Sequence, residues 1–507
     1  MYLPGRLCDL RGHTFGKSEM GEPAVKRIEW TPLCLLVVSG ITAGALPAPS
    51  SSVAPRDGPH ETHANPVCRD DGRGQSYDAI RVATKRSAAK PNIVFILADD
   101  LGWAELGCYG NTFNATPNLD RLARDGMRFT QAYAAAPVCS PTRAALLTGR
   151  WPQRFGITDY LGPQDKTHFF KPEVTTLNEA LMPAGYASGL IGKWHLTGDY
   201  SLGGGAPEKH GWDEVICSER LYIGAGSYFA PYKHLPHVEA PPGEYLTDRL
   251  TREAVGFIRR RRTEPFFLYL AHYAPHTALA SKPDKVARFK AKPGASSKHN
   301  NPQLAAMIES LDDGVGEILR ALDDLGLTQN TLVVFNSDNG GEDRVTSNAP
   351  LRAGKSHLYE GGIRVPLIVR WPAGIVPGGT CDVPVVTTDF FPTLMDLAGL
   401  KPAQSLDGTS LVPLFTGKRE LPPRDLVWHY PLDQPHFLGG RSAGAIRSGN
   451  LKLIEFYDTG TIELYDLSQD IGETHDLAGR MPERAAELRT RLKRWREQIP
   501  ASVQPFR

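Results

Sequence analysis

The feature of this 507-residue chain that most restricts its fold is a series of short, unbroken apolar runs, each closed by charged or titratable residues. The first is PNIVFILADD, Pro91 to Asp100, where folded sequence begins abruptly. Others are YASGLIGKWHL (Tyr186 to Leu196), PFFLYLAHYAPH (Pro265 to His276), TLVVFNSDNGG (Thr331 to Gly341) and VPLIVRWP (Val365 to Pro372). Runs without alternation suit strands covered on both faces. Helical patterns separate them at Asn118 to Asp125, Leu246 to Arg262 and Gln303 to Leu325. Strands alternating with helices predict an α/β fold, a doubly wound, mostly parallel sheet with helices on both faces. Beyond about Leu421 the pattern changes. AGAIRSGNLKLIEFY and TIELYDLSQD alternate as antiparallel strands do, and Pro482 to Gln498 reads as a closing amphipathic helix. The expected division is an α/β domain over 91–420 and a small C-terminal α+β subdomain with an antiparallel sheet over 421–507.

The amino terminus reads as a targeting segment. Lys26 and Arg27 precede PLCLLVVSGITAGALPA (Pro32 to Ala48), which carries the small-residue pattern Ala43-Gly44-Ala45. Too short and glycine-broken to span a bilayer, it predicts a signal peptide region over 1–48, with Met20 a tidier start, and export to a periplasmic or extracellular location. Residues 49–90 are rich in Ser, Pro, His, Arg and Asp and predict a disordered linker. With 57 basic and 56 acidic residues, the net charge of +1 gives no reason to expect nucleic acid or an anionic membrane surface as a partner, and the short apolar stretch gives none to expect stable membrane insertion. The basic run Arg259 to Arg262 reads as a solvated helix end. Seven scattered cysteines without CxxC spacing imply neither a zinc site nor a dense disulfide framework.

In open α/β sheets the ligand site lies beyond the carboxyl ends of the strands. The residues just past each apolar run are therefore informative: Asp99-Asp100, Lys193 and His195, His276, and Asp338-Asn339. Three carboxylates and an amide carbonyl are hard oxygen ligands, which favour Ca2+ or Mg2+ over zinc. Arg143, Lys193, Lys355, His195 and His276 crowd positive charge around them, as a site for a tetrahedral oxyanion requires. Cys139 opens a helix-forming stretch, PVCSPTRAALLTGR, in which Ser140, Pro141 and Thr142 are residue types that begin helices and Gly149 is a natural stop. Its side chain is expected at the positive helix end, with Arg143 one turn on. Three residues between Cys139 and Arg143 do not match a thiolate phosphatase loop.

These residues resemble the type I, formylglycine-dependent sulfatase family of the alkaline-phosphatase-like superfamily. Cys139-Ser140-Pro141-Thr142-Arg143, continued by Leu147-Thr148-Gly149-Arg150, matches its C-x-P-x-R…TGR signature. GKWHL (Gly192 to Leu196), APH (Ala274 to His276), SDNGG (Ser337 to Gly341) and GKSHLYEGGIRVP (Gly354 to Pro366) come in the family's order. The resemblance implies that a separate formylglycine-generating enzyme oxidises Cys139 to an aldehyde, whose hydrate attacks sulfur. It also implies a calcium or magnesium ion on Asp99, Asp100, Asp338 and Asn339, with modified Cys139 as a further ligand. By the same analogy Arg143 and Lys193 hold the formylglycine, His195 assists elimination as base, Lys355 and His276 grip the sulfate, and His276 protonates the leaving alcohol.

The expected activity is hydrolysis of sulfuric esters, carbohydrate sulfates in particular. One alternative is a formylglycine-dependent phosphonate or phosphate ester hydrolase of the same superfamily. Another is a non-catalytic sulfated-glycan-binding protein on this scaffold, against which every motif residue is present. The aromatic, histidine-bearing segments between Gly198 and His237, and the stretch around His429 and His436, are expected to line the leaving-group pocket.

Overall fold

The computed structural model describes Cys68–Asp70 and residues 90–502, except 164, 166–168, 199–202, 220–227, 419 and 501. The segment read from the sequence as a signal peptide lies outside the described residues. Among the described residues, no helix is long and apolar enough to cross a membrane.

The ten-stranded sheet comprises β1 (Cys68–Asp70), β2 (Asn92–Ala98), β3 (Met127–Tyr133), β4 (Ala187–Gly192), β5 (Glu214–Ile216), β6 (Phe266–Ala271), β7 (Thr331–Ser337), β8 (Arg364–Arg370), β9 (Gly379–Cys381) and β10 (Val385–Val386). Its order is β1-β9-β3-β8-β7-β2-β6-β4-β5, with β10 beside β3. The block β7-β2-β6-β4-β5 is parallel throughout. β2 lies inside it, between β7 and β6, and is buried along its whole length, which is why its run has no polar alternation. Its side chains divide by parity. Ile93, Phe95 and Leu97 join one core with Phe390 and Leu394, whereas Val94, Ile96 and Ala98 join another with Leu250 and Leu311.

Helix α1 (Pro117–Arg124) and α2 (Cys139–Thr148) come after β2 and β3; α3 (Leu246–Arg261) precedes β6 and α4 (Pro302–Asp324) precedes β7. α1, α3 and α4 cover one face of the sheet, and α2 packs on the other. The basic end of α3 pairs outward, Arg260 and Arg261 reaching Glu214 at 2.6 and 3.0 Å.

Two strands depart from the sequence reading. β8 runs antiparallel to both β7 and β3. An apolar run carries no direction, and residues 338–363 return the chain beside β7 with only a short helical turn, Glu360–Ile363, in place of a crossover helix. Within the stretch expected as linker, Cys68–Asp70 forms an edge strand antiparallel to β9, where backbone pairing needs no apolar side chain. Cys381, opposite Cys68 in that register, is disulfide-bonded.

The C-terminal region is a meander of β11 (Asp425–Tyr430), β12 (Ala443–Ser448), β13 (Leu451–Phe456) and β14 (Ile462–Asp466), with α5 (Pro482–Arg496) packed on it. Its core includes Trp428, Ile446, Leu453 and Leu488, and also Tyr133, Val138 and Ala145. Ala144, Leu146 and Leu147 face the other way, into the core of the large sheet. α2 is therefore clamped between two cores, and all ten of its residues are buried.

α2 ends at Gly149, whose φ of 66° is left-handed and whose added Cβ would lie 2.6 Å from Phe391 Cβ. Gly149→Ala combines left-handed strain with overpacking and should lower unfolding stability by about 2–4 kcal/mol. Denaturant titration measures this; a loss within about 0.5 kcal/mol would contradict the clamped geometry.

Candidate active site

The strand ends converge as the sequence requires. Backbone bonds extend the parallel ladder past the strands: Asp99 N–H donates to Ala274 O, Asp338 N–H to Ala98 O and Lys193 N–H to Ala271 O, at 3.1, 3.2 and 2.7 Å. Asp99, Asp100, Lys193, Asp338 and Asn339 are thereby held by the sheet itself. α2 brings Cys139 and Arg143 from the side. Its first residue is Cys139 and no side chain caps it, so Ser140 and Thr142 do other work than expected. Ser140 Oγ accepts from Leu161 N–H at 2.9 Å, and Thr142 exchanges hydrogen bonds with the backbone of Ala136.

Cys139 is 1% exposed, with Sγ 3.4 Å from Asp99 Oδ1 and 3.9 Å from Asp100 Oδ1. Arg143 binds Asp338 Oδ2 through two nitrogens at 3.0 and 2.7 Å and also donates to Lys193 O. Lys193 Nζ lies 2.6 Å from Asp99 Oδ2, and Lys355 Nζ 2.8 Å from Asp100 Oδ2. His276 Nε2 is 3.6 Å from the same Asp100 oxygen, and His276 Nδ1 meets Thr277 O. All ten sequence-derived residues thus share one buried cluster, the tenth being His195, whose Nε2 lies 2.9 Å from Leu161 O.

The electrostatics arise from burial. Burial raises the Cys139 thiol well above its ordinary range despite Lys193 and Lys355, so unmodified Cys139 is a thiol and not a thiolate nucleophile. Asp338 is pushed up to about 6 by burial and by Asp99, against Arg143. Asp100 is also buried, but Lys355 and His276 outweigh that and hold it below the usual carboxylate range. Burial and Lys355 bring His276 down to about 4. Burial, Lys193 and Arg143 likewise keep His195 neutral. Because Leu161 O can only accept, His195 Nε2 carries the proton and its buried, unpartnered Nδ1 carries a lone pair.

The donor set suits a hard cation. Asn339 Nδ2 donates to Asp100 Oδ1 and Gly340 O, leaving Oδ1 buried without a hydrogen-bond partner. An orphaned amide oxygen beside three carboxylates is oxygen chemistry for calcium or magnesium. Asp99, Asp100, Cys139 and His276 offer ligand atoms within 4.8 Å of one another.

Sequence reasoning missed Glu219. Its carboxylate accepts the backbone N–H groups of Trp194, at 2.8 Å, and of His195, together with the Tyr273 hydroxyl. This fixes His195 in a left-handed conformation, φ 56°. A lone glutamate in a loop carries no motif, and only the positive φ beyond the neighbouring strand gives it a purpose. The segments expected to line a pocket are divided in role. His210 is buried between Phe170 and Trp194, and His234 against Tyr273, while His429 packs on Tyr457 and Trp495. His436 alone among these stands beside Lys355 and His357.

Residues 91–400 match the sulfatase family profile, and residues 353–498 match the profile described as N-sulphoglucosamine sulphohydrolase, C-terminal. A sulfatase of Formosa agariphila is 32% identical over 81% of this chain and 90% of its own. Human arylsulfatase A is 33% identical over 80% of this chain and 87% of its own. The crystal structure of Ps i-CgsB in complex with k-i-k-neocarrahexaose superposes with a TM-score of 0.71 at 32% identity, covering 82% of this chain and 94% of that one.

Glu219→Ala strands two buried N–H donors at about 1–3 kcal/mol each and frees His195 from its strained backbone. The expected result is a loss of about 2–5 kcal/mol in unfolding stability, with turnover falling further than the folded fraction does. Circular dichroism melts and specific activity at matched folded fraction check this; unchanged activity per folded molecule would mean that Glu219 does not position His195.

Proposed function

This chain belongs to the sulfatase family and is a sulfatase enzyme that hydrolyses sulfate esters, and we propose that it does so on carbohydrate sulfates, with Cys139 converted to formylglycine and a divalent cation, calcium or magnesium, in its acidic cluster. The observation that carries the proposal is the buried meeting of Cys139 with Asp99 and Asp100 on one side and Lys193 and Lys355 on the other. A thiol held protonated there is a poor nucleophile, whereas an aldehyde hydrate at the same position offers two hydroxyls on one carbon. Asp99, Asp100, Asp338 and Asn339, with residue 139, would hold the cation, which supplies Lewis-acid polarisation of a sulfate oxygen and a lowered hydroxyl pKa.

The chain's own residues then divide the work. Arg143 and Lys193 anchor the carboxylates that face residue 139 and hold its hydroxyls in place. Lys355 and His276 receive the sulfate. When one hydroxyl of residue 139 attacks sulfur, its proton passes to the Asp99 carboxylate, whose Oδ1 lies 3.4 Å from Sγ, the S–O bond to the alcohol breaks, and His276 gives the departing oxygen a proton. The sulfate anion between Lys355 and His276 supplies the negative charge that favours the imidazolium. His195 Nδ1, a neutral lone pair, then takes the proton of the remaining hydroxyl. The C–O bond to sulfate breaks as the aldehyde re-forms, and no water need attack a stable covalent ester. Export through the segment 1–48 and maturation by a formylglycine-generating enzyme belong to the same proposal, as does a division of the chain at 420/421.

Peptide mass spectrometry of active protein should find aldehyde in place of thiol at Cys139, and an active preparation carrying only the thiol would overturn the mechanism. Chelation should abolish activity, with calcium or magnesium restoring it; restoration by zinc alone would refute the ligand assignment. General acid catalysis is worth about 10²- to 10⁴-fold. His276→Ala should lose about that factor on a sugar sulfate and far less on p-nitrophenyl sulfate, whose phenolate leaves almost unaided. Equal losses on both would remove the acid role.

A further inference from the structure

The mouth of the site has a wall that sulfate chemistry does not use. His436 and Phe437 lie between β11 and β12 on a loop that packs directly on the Lys355 segment. A Cβ at Gly440 would come within 1.9 Å of Ser356 O, so the two backbones touch. Tyr160 stands against the same pair, its ring centroid 5.6 Å from His436 and 6.3 Å from Phe437. The next residue, Leu161, is bonded to Ser140 and His195. Arg344 lies 5.5 Å over the Phe437 ring and binds Glu342 through Nε at 2.5 Å, and Glu342 takes the hydroxyl of Thr277, next to His276. The wall is therefore tied to neighbours of Cys139, His276 and Lys355 together.

Two of its properties point to a ligand. His436 Nδ1 accepts the backbone N–H of Leu438 at 3.1 Å, which places the proton of the neutral ring on Nε2. That N–H is buried and has no hydrogen-bond partner, in a residue 7% exposed. A buried donor without an acceptor is costly, and a bound molecule that brings an oxygen removes the cost. Burial and Lys355 keep the ring neutral, at about 4, so the donor is a neutral N–H. Phe437, beside it with ring centroids 4.3 Å apart, is 65% exposed, one of three large apolar side chains left exposed among the described residues.

Building on the sulfate-ester reading above, we propose that His436 and Phe437 form the subsite for the leaving alcohol of a sugar sulfate. His436 Nε2–H donates to a sugar oxygen near the sulfated position, and Phe437 lies against the C–H face of the pyranose ring. A flat aryl sulfate has no oxygen to offer there. The subsite thus discriminates by the alcohol and leaves sulfate binding to Lys355 and His276.

The test compares wild type, His436→Ala, His436→Gln and Phe437→Ala, all matured, on p-nitrophenyl sulfate, galactose 6-sulfate and N-acetylgalactosamine 6-sulfate. Losing one hydrogen bond or one ring contact is expected to raise KM for the sugar sulfates about 10-fold, with kcat changed far less. The loss in kcat/KM on p-nitrophenyl sulfate is expected to be at least about five times smaller. His436→Gln, which keeps an N–H donor, should recover part of the loss, and Phe437→Ala alters an exposed residue and so leaves folding intact. Equal losses on aryl and sugar substrates, or none on the sugars, would overturn the subsite while the carbohydrate reading stands. Wild-type turnover of p-nitrophenyl sulfate with none of either sugar sulfate would overturn both.

Discussion

Three buried carboxylates, Asp99, Asp100 and Asp338, facing three buried cations, Arg143, Lys193 and Lys355, are the constraint on which the rest of this molecule depends. Charges taken out of water are tolerable only when each has a partner at hydrogen-bond distance. That requirement reaches far into the fold. The parallel strands must end level with one another so that the acids converge, and α2 must dock at one depth so that Arg143 reaches Asp338 with two nitrogens. The planar fork of Arg143 makes that last contact specific in a way a lysine could not reproduce. The chain after β7 must also turn back sharply enough to bring Lys355 over Asp100.

The small C-terminal sheet takes part in this. Lys452 of β13 lies 2.9 Å from both Glu360 and Glu473, and Glu473 accepts the backbone N–H of Glu360 at 2.6 Å. Glu360 also receives the Tyr133 hydroxyl and Arg364. This buried network fixes the segment between β7 and β8 that carries Lys355, while the β11–β12 loop supplies His436 and Phe437. One sheet presents the buried charges of the site, and the other steadies them and carries the loop beside Lys355.

Much of this was legible in the sequence, for physical reasons. An uninterrupted apolar run means burial on both faces, and the residues that close such a run in a parallel sheet are exposed to the ligand side. Asp99, Asp100, Lys193, His276, Asp338 and Asn339 could therefore be placed without coordinates. α1, α3, α4 and α5 were readable within a residue or two. Strand direction was not, because the apolar pattern of Arg364–Arg370 is the same read either way. β3 was not singled out because MRFTQAY mixes polar residues into a half-buried strand. Glu219 was hidden because its partners are backbone N–H groups, which every residue has. His429 and His436, seven positions apart, looked alike; only the fold buries one against Tyr457 and turns the other to the site.

The interior place of β2, between β6 and β7, sets the order in which this protein can be made. β2 is the first strand of the parallel block to leave the ribosome, and its neighbours come much later: Ile93 pairs with Phe267 and with Leu332. During synthesis its seven-residue apolar run has no edge to join until more than half of the chain has emerged. Such segments, rich in β-formers and free of charge, are the ones that self-associate when left unpaired. The pair Asp99-Asp100 at its end is then fully solvated and places two negative charges beside the most aggregation-prone stretch of the nascent chain. The same two aspartates thus act as gatekeepers before they meet the cations of the finished site.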